Sequence, residues 1–252
     1  MNMEEQRIDP TISYDVVQLP SGGIHYDNKK KSVKVAYLTA ADENILSSAN
    51  LIISGDVIKE LLKRKIIDRD LAIEDIVEED KQAILIFLRN TAWGTVYTMT
   101  VKDPKTKEDF PVEIDLSTLK VKDFTLEEDS NGEYEYFLEK AKVPITFKYL
   151  TQKQEIDLQD IGNNWKEDTP PPLASKRLEF MIKSVNGNRQ PMEIHGFIEN
   201  KMPLSDSQEF KKFYLKNKPG LNLTETVQTP SKETIQVQIG FGAEFFRPFY
   251  GL

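Results

Sequence analysis

Acid–base, metal and nucleophilic chemistry draw on a few residue types, and this 252-residue sequence offers them sparingly. Histidine, the usual proton carrier and metal ligand near neutral pH, occurs twice, as His25 in an N-terminal turn and as His195 before Gly196. Neither has a partner at ligand spacing, so both read as surface or half-buried imidazoles. Cysteine is absent, which removes disulfides, thiolate nucleophiles and sulfur-ligated zinc. Two histidines without cysteine are not expected to form a closed structural zinc site. Carboxylates are plentiful, as in Glu127-Glu128-Asp129 and in Asp157 with Asp160, but they fall in polar loops or on helix faces, where they keep a surface soluble. The glycine pairs in Ser21-Gly22-Gly23 and Gly240-Phe241-Gly242 do not open a helix carrying the lysine or serine of a phosphate cradle. There is no nucleophile elbow and no metalloprotease helix. Asn222-Leu223-Thr224 matches a glycosylation acceptor without an accompanying export signal. These residues therefore assign no catalytic, cofactor-binding or metal-ligating position, and no cofactor is expected.

What remains is aromatic and apolar. Trp93, Phe245, Phe246, Phe249 and Tyr250 can serve as core residues or as interface anchors, since both uses exploit large rigid apolar area. Trp93, at a helix end, is assigned to the core. For the terminal cluster an interface is narrowly preferred over a strap that closes the fold. The net charge of −8 opposes general attraction to nucleic acid, which needs a basic surface. The one basic run, Lys29-Lys30-Lys31, reads as a charged loop on a solvated edge. The longest apolar stretches, such as Ala83 to Leu88, are far shorter than the roughly 18 residues of a membrane span. Synthesis in the cytoplasm and no stable membrane insertion are the expectations.

The elements that would position these side chains can be read from periodicity. Leu19-Pro20-Ser21-Gly22-Gly23 suggests an extended arm with a tight turn, which needs another surface to lie on. Val33, Val35 and Tyr37 alternate as in a strand. Thr39 and Asp42 form a weak capping box before a short helix, and Ser54 is read as the N-cap of a second, with Val57, Ile58, Leu61, Leu62 and Ile66 on one face. Glu78, Glu79 and Asp80 suit the positive end of an apolar helix that stops near Gly94. A hairpin turns at Asp103-Pro104-Lys105-Thr106-Lys107, and a second at Thr229-Pro230-Ser231-Lys232. Between them lie an acidic loop, Asp123 to Glu133, strands at Tyr134 to Leu138 and Val143 to Tyr149, and a helix from Gln152 to Ile161. Two further helices follow: one after Pro170-Pro171-Pro172 with Leu178, Met181, Ile182 and Val185 on its buried face, and one signalled by Ser205 and Gln208. The similar plan of the two hairpins hints at two similar lobes.

Several blocks carry a resemblance. Leu19-Pro20-Ser21-Gly22-Gly23-Ile24-His25-Tyr26, Val33 to Glu43, Leu51 to Gly55, Ala83 to Tyr97, Glu113 to Leu116 and Gly242 to Pro248 together resemble the baseplate hub subunits and hub assembly proteins of T-even-like contractile phages. The blocks cover roughly half the chain, and none is a catalytic signature. Relatives carry a Cys-Pro-x-Cys arrangement suited to zinc at the hairpin turns. Here those turns read Lys102-Asp103-Pro104-Lys105 and Gln228-Thr229-Pro230-Ser231, so the metal role is not carried over and turn geometry alone is expected to hold the tips.

The resulting expectation is an α+β fold of short helices packed with two β-hairpins, an extended N-terminal arm and an aromatic C-terminal tail. Residues 1–32 form the arm, ordered only against another subunit, 33–122 a helical lobe with the first hairpin, and 123–252 a second α+β lobe. The resemblance implies a non-enzymatic structural or assembly component of the baseplate hub, located in the virion, whose partners are other hub and tail proteins in an oligomeric assembly. Leu19, Pro20, Ser21, Gly22, Tyr26, Phe245, Phe246, Arg247, Pro248, Phe249 and Tyr250 are its interface candidates. The alternatives are a cell-wall hydrolase using a carboxylate pair such as Glu113 and Asp115, or an adaptor unrelated to phage.

Overall fold

The computed structural model describes residues 12–26, 28–166, 169–241 and 243–246. In chain order, β1 (Tyr14–Gln18) and β2 (Ser32–Ala36) precede four helices: α1 (Glu43–Leu46), α2 (Ala49–Ser54), α3 (Val57–Lys65) and α4 (Glu78–Trp93). Then come β3 (Val96–Lys102), β4 (Asp109–Asp115), β5 (Tyr134–Leu138), β6 (Val143–Phe147), α5 (Gln152–Asn163) and α6 (Leu173–Met181). The remainder are β7 (Ile182–Val185), α7 (Pro191–Asn200), α8 (Leu204–Lys216), β8 (Thr224–Gln228) and β9 (Thr234–Gln238). The sheets are small and antiparallel, so the fold is α+β with hairpins, as the periodicity predicts. Among the described residues no helix is long and apolar enough to cross a membrane.

The chain divides into two compact units. The first comprises Met1–Gly23, Lys30–Lys122 and Gly220–Leu252; the second comprises Ile24–Lys29 and Asp123–Pro219. This differs from the reading of an arm and two consecutive lobes in two ways. Both hairpins belong to the first unit, so their likeness does not mark two lobes. The described part of the arm is also built into the fold: β1 pairs with β2 in the register Tyr14↔Ala36 to Gln18↔Ser32, and Leu19 N–H donates to Lys31 O at 2.8 Å. Local sequence does not reveal such pairing, because the apolar residues of β1 are completed by a strand more than a dozen positions on.

In the first unit Val33 and Val35 of β2 are buried, as are Leu61 and Leu62 of α3 and Ile84, Leu85 and Leu88 of α4, and Val35 bridges Ile66 just after α3. Thr39 and Asp42 do form a capping box. Ser54, read as an N-cap, instead ends α2; Gly55 follows in the left-handed conformation at φ 78° and Asp56 precedes α3. Helix α4 stops where glycine permits a positive φ, at Gly94 (φ 84°). In the first hairpin Tyr97 faces Ile114 and Met99 faces Val112; in the second Val227 faces Ile235. The strands entering and leaving the second unit run side by side, since Lys122 N–H donates to Gly220 O and Asn222 N–H to Lys120 O, each at 2.8 Å. At Gly220 (φ 151°) an added Cβ would lie 3.0 Å from Glu79 Cγ, so this close approach requires glycine.

In the second unit β5, β6 and β7 form one sheet over a core that includes Phe147, Tyr149, Leu178, Ile194, Phe210 and Tyr214. Thr151 and Gln154 cap α5 reciprocally. Ile182 and Val185, read as the end of a helical face, form the edge strand β7 instead; their β-branched side chains favour the extended state once a strand is present to pair with. Helix α7, which sequence periodicity did not signal, starts with Pro191 at its first position. In α8, Ser205 lies inside the first turn and Asp206 is turned away to accept from the N–H groups of Lys140 (2.9 Å) and Ala141 (2.7 Å).

Candidate functional site

Most of the anticipated interface residues do structural work within the chain. Leu19 O accepts from Gly22 N–H at 2.9 Å across a turn in which Pro20 holds the second position, and Gly22 takes φ 61°. Leu19, Ser21 and Tyr26 are buried, Pro20 is half-buried and Gly22 is exposed. Ser21 is tied to the first turn of α4: its N–H donates to Asp80 Oδ1 at 2.9 Å and its hydroxyl to Asp80 Oδ2 at 2.6 Å. Arg247, Pro248, Phe249 and Tyr250 lie outside the described residues.

Phe245 and Phe246 are 0% and 1% exposed and belong to the core of the first unit. Phe245 stands edge-on to Tyr97 (5.1 Å between centroids), and Phe246 lies 6.1 Å from Trp93. Buried Arg89 lies over the rings of Tyr97 (5.0 Å) and Phe245 (5.6 Å) while donating to Gly94 O at 2.9 Å and Val96 O at 3.0 Å. One guanidinium thus links the end of α4, the start of β3 and the segment holding Phe245. The preference for an interface at these two phenylalanines is corrected: a tertiary cation–π partner 156 positions away in sequence leaves no local trace.

Trp93 and Phe246 also wall a cleft of about 490 Å³ in the first unit, with Leu38, Thr39 and Leu46 among its lining. On its rim Asp42 is buried, pairs with Lys65, and has Arg64 Nε 2.9 Å from Oδ1. Burial acts to raise its carboxyl, but Lys65 and the N–H and hydroxyl of Thr39 outweigh it and hold the group below its ordinary value. The carboxylate is therefore a fixed anion rather than a proton donor.

The two hairpin tips meet. Asp103, in the β3–β4 turn, accepts from the Ser231 hydroxyl at 3.0 Å and the Ser231 N–H at 3.1 Å, as well as from Lys105 N–H at 2.8 Å in its own turn. Ser231 belongs to the turn between β8 and β9. Turn geometry alone was expected to hold these tips; a cross-turn hydrogen-bonded clasp does so, built from Asp and Ser at positions of the two Pro-containing turns. Burial acts to raise the Asp103 carboxyl, yet the Lys105, Ser231 and Thr106 donors bring it down to about 2. Since this is below its ordinary value of 3.8, the clasp contributes stability that is present above about pH 4 and lost as pH falls toward 2. In thermal melts across this range, Asp103→Asn should be less stable than wild type at neutral pH, and the gap should close near pH 2. A gap independent of pH would mean that the charge is not what holds the tips.

Asp115, Glu128 and Asp129 also have structural partners. Asp115 Oδ1 accepts from the Ser117 hydroxyl (2.7 Å) and N–H (3.0 Å), which lower its pKa. Asp115 is thus held as an anion, the opposite of the raised carboxyl that a glycosidase acid requires. Glu128 binds Lys29 (3.1 Å) and accepts from Tyr134 (3.0 Å); Asp129 accepts from Asn131 and Glu133 N–H groups, closing a bonded turn where a flexible loop was expected. Lys30 pairs with Asp70 at 2.8 Å. His25 is buried, its Nδ1–H donating to Leu150 O at 3.1 Å, so it is neither surface nor half-buried. His195 is exposed beside Glu179, with Nδ1 at 2.7 Å from Oε1. Glu199 joins them in a group whose ligand atoms lie within 4.8 Å of one another. Its local signal is a glutamate four positions after a histidine, which α7 brings to one face.

No curated protein and no solved structure gives a significant match to the chain. A family model described as T4 bacteriophage base plate protein matches residues 11–247, spanning both units and each of the elements above. The chain belongs to the T4 bacteriophage base plate protein family.

Proposed function

We propose that this baseplate protein is a structural or assembly component of the central hub of a contractile tail, located in the virion and acting through contacts with other hub and tail proteins in an oligomeric assembly. The role is non-enzymatic and involves neither nucleic acid nor membrane insertion. Beyond the family, the observation that supports this is a set of large apolar side chains left in water on helices: Ile53 of α2 (85% exposed), Met192 of α7 (86%), and Leu204 and Leu215 of α8 (73% and 66%). Such side chains gain free energy when a partner covers them. Pro20, Gly22, Arg247, Pro248, Phe249 and Tyr250 are further interface positions in this reading.

Ile53→Asp and Met192→Asp test it. Each replaces an exposed side chain, so the stability of the folded chain should change by no more than about 0.5 kcal/mol, as is typical of surface changes. Co-assembly with the other hub proteins of the same phage, read by electron microscopy of tails, should fail. Normal baseplates from both variants would reject the proposal.

A further inference from the structure

We propose that Glu179, His195 and Glu199 form a surface binding site for a late first-row divalent metal ion of the zinc type. His195 and Glu199 are four positions apart on α7 and so project from one face of the helix, whose first turn is fixed by Pro191. Glu179 comes from the adjacent helix α6. One ligand atom from each residue lies within 4.8 Å of the others. An ion bound at about 2.1 Å to each would hold neighbouring ligand atoms roughly 3.0 to 3.5 Å apart. The set therefore closes by rotating two exposed side chains, His195 and Glu199, with no movement of the helices.

The chemistry selects the metal class. An imidazole with two carboxylates suits zinc, cobalt or nickel, whereas magnesium and calcium prefer oxygen ligands alone. Glu179 is the oriented member: Oε1 faces His195 Nδ1 at 2.7 Å, while Oε2 is held by Lys176 Nζ at 2.7 Å. Lys176 occupies the other oxygen of this carboxylate, so its charge competes with an incoming cation. The exposure of His195 and Glu199 leaves the remaining coordination positions to water.

Zinc titrated into the metal-free full-length chain, followed by calorimetry and by the imidazole resonances, tests the site. The chain has two histidines, and His25 is buried, so the ring signals are separable. We expect one saturable zinc equivalent that shifts the His195 resonances and leaves those of His25 in place. His195→Ala and Glu199→Gln should each weaken binding at least about tenfold, in the range seen when metal-site partners are removed, with circular dichroism unchanged. Lys176→Met should tighten binding by removing the competing charge, a gain that misfolding cannot imitate. Absence of saturable binding, or binding that survives His195→Ala at full strength, would overturn the proposal.

Discussion

Replacing Phe245 and Phe246 together by alanine should unfold the first unit. Both rings are fully enclosed, and deleting a buried phenylalanine costs roughly 3 to 5 kcal/mol, so the pair removes much of the 5 to 15 kcal/mol that holds a typical domain together. Phe245 carries more than its own area. It touches Tyr97, Phe246 and Phe241, and its ring packs together with that of Tyr97 against the Arg89 guanidinium. Its loss leaves a guanidinium buried beside a void. Urea denaturation of the single and double variants measures the effect, with Phe245→Leu as the volume-sparing control. A double variant that melts with wild type but fails to assemble would restore the interface role for these two side chains.

The second large effect is expected at Asp80. This residue is enclosed at the start of α4 and receives both the N–H and the hydroxyl of Ser21, where the helix dipole also favours its charge. Asp80→Ala leaves two buried donors without this acceptor, at about 1 to 3 kcal/mol each. The total of roughly 2 to 6 kcal/mol should appear as a lower urea midpoint. Hydrogen exchange locates the damage: amides from Val17 to Gly23 should be protected in the wild-type monomer and lose protection in the variant. Asp80→Asn keeps one acceptor oxygen and should be milder. Unprotected amides in the wild-type monomer would return the segment to an arm that orders only on a partner.

Both outcomes turn on long-range contacts, and this is where legibility in the sequence ends. Elements whose signals are local were readable: the apolar face and glycine stop of α4, the capping box at Thr39, and both hairpin turns. Elements defined by a distant partner were not. Val17 and Leu19 acquire meaning only opposite Val33 and Lys31, and Ile182 becomes a strand residue only beside Phe147. The same holds for chemistry. Asp103 and Ser231 each look like ordinary turn residues, and their clasp arises because two turns 128 positions apart converge. Glu199 joins His195 only once α7 forms, a helix the periodicity did not signal, and Glu179 comes into reach only through the packing of α6 against α7.

The paired crossing at Lys120–Lys122 and Gly220–Asn222 has a consequence for biogenesis. When the ribosome has released the chain through Pro219, the whole of the second unit is available, and it can fold as domains do during synthesis. The first unit, although it begins earlier, still lacks Phe245 to cover Arg89 and Ser231 to engage Asp103. Its apolar floor around Tyr97 therefore stays open to chaperones and to wrong partners until the strand beyond Gly220 docks. The order of emergence thus completes the second unit before the first, which the strand returning at Gly220 closes last.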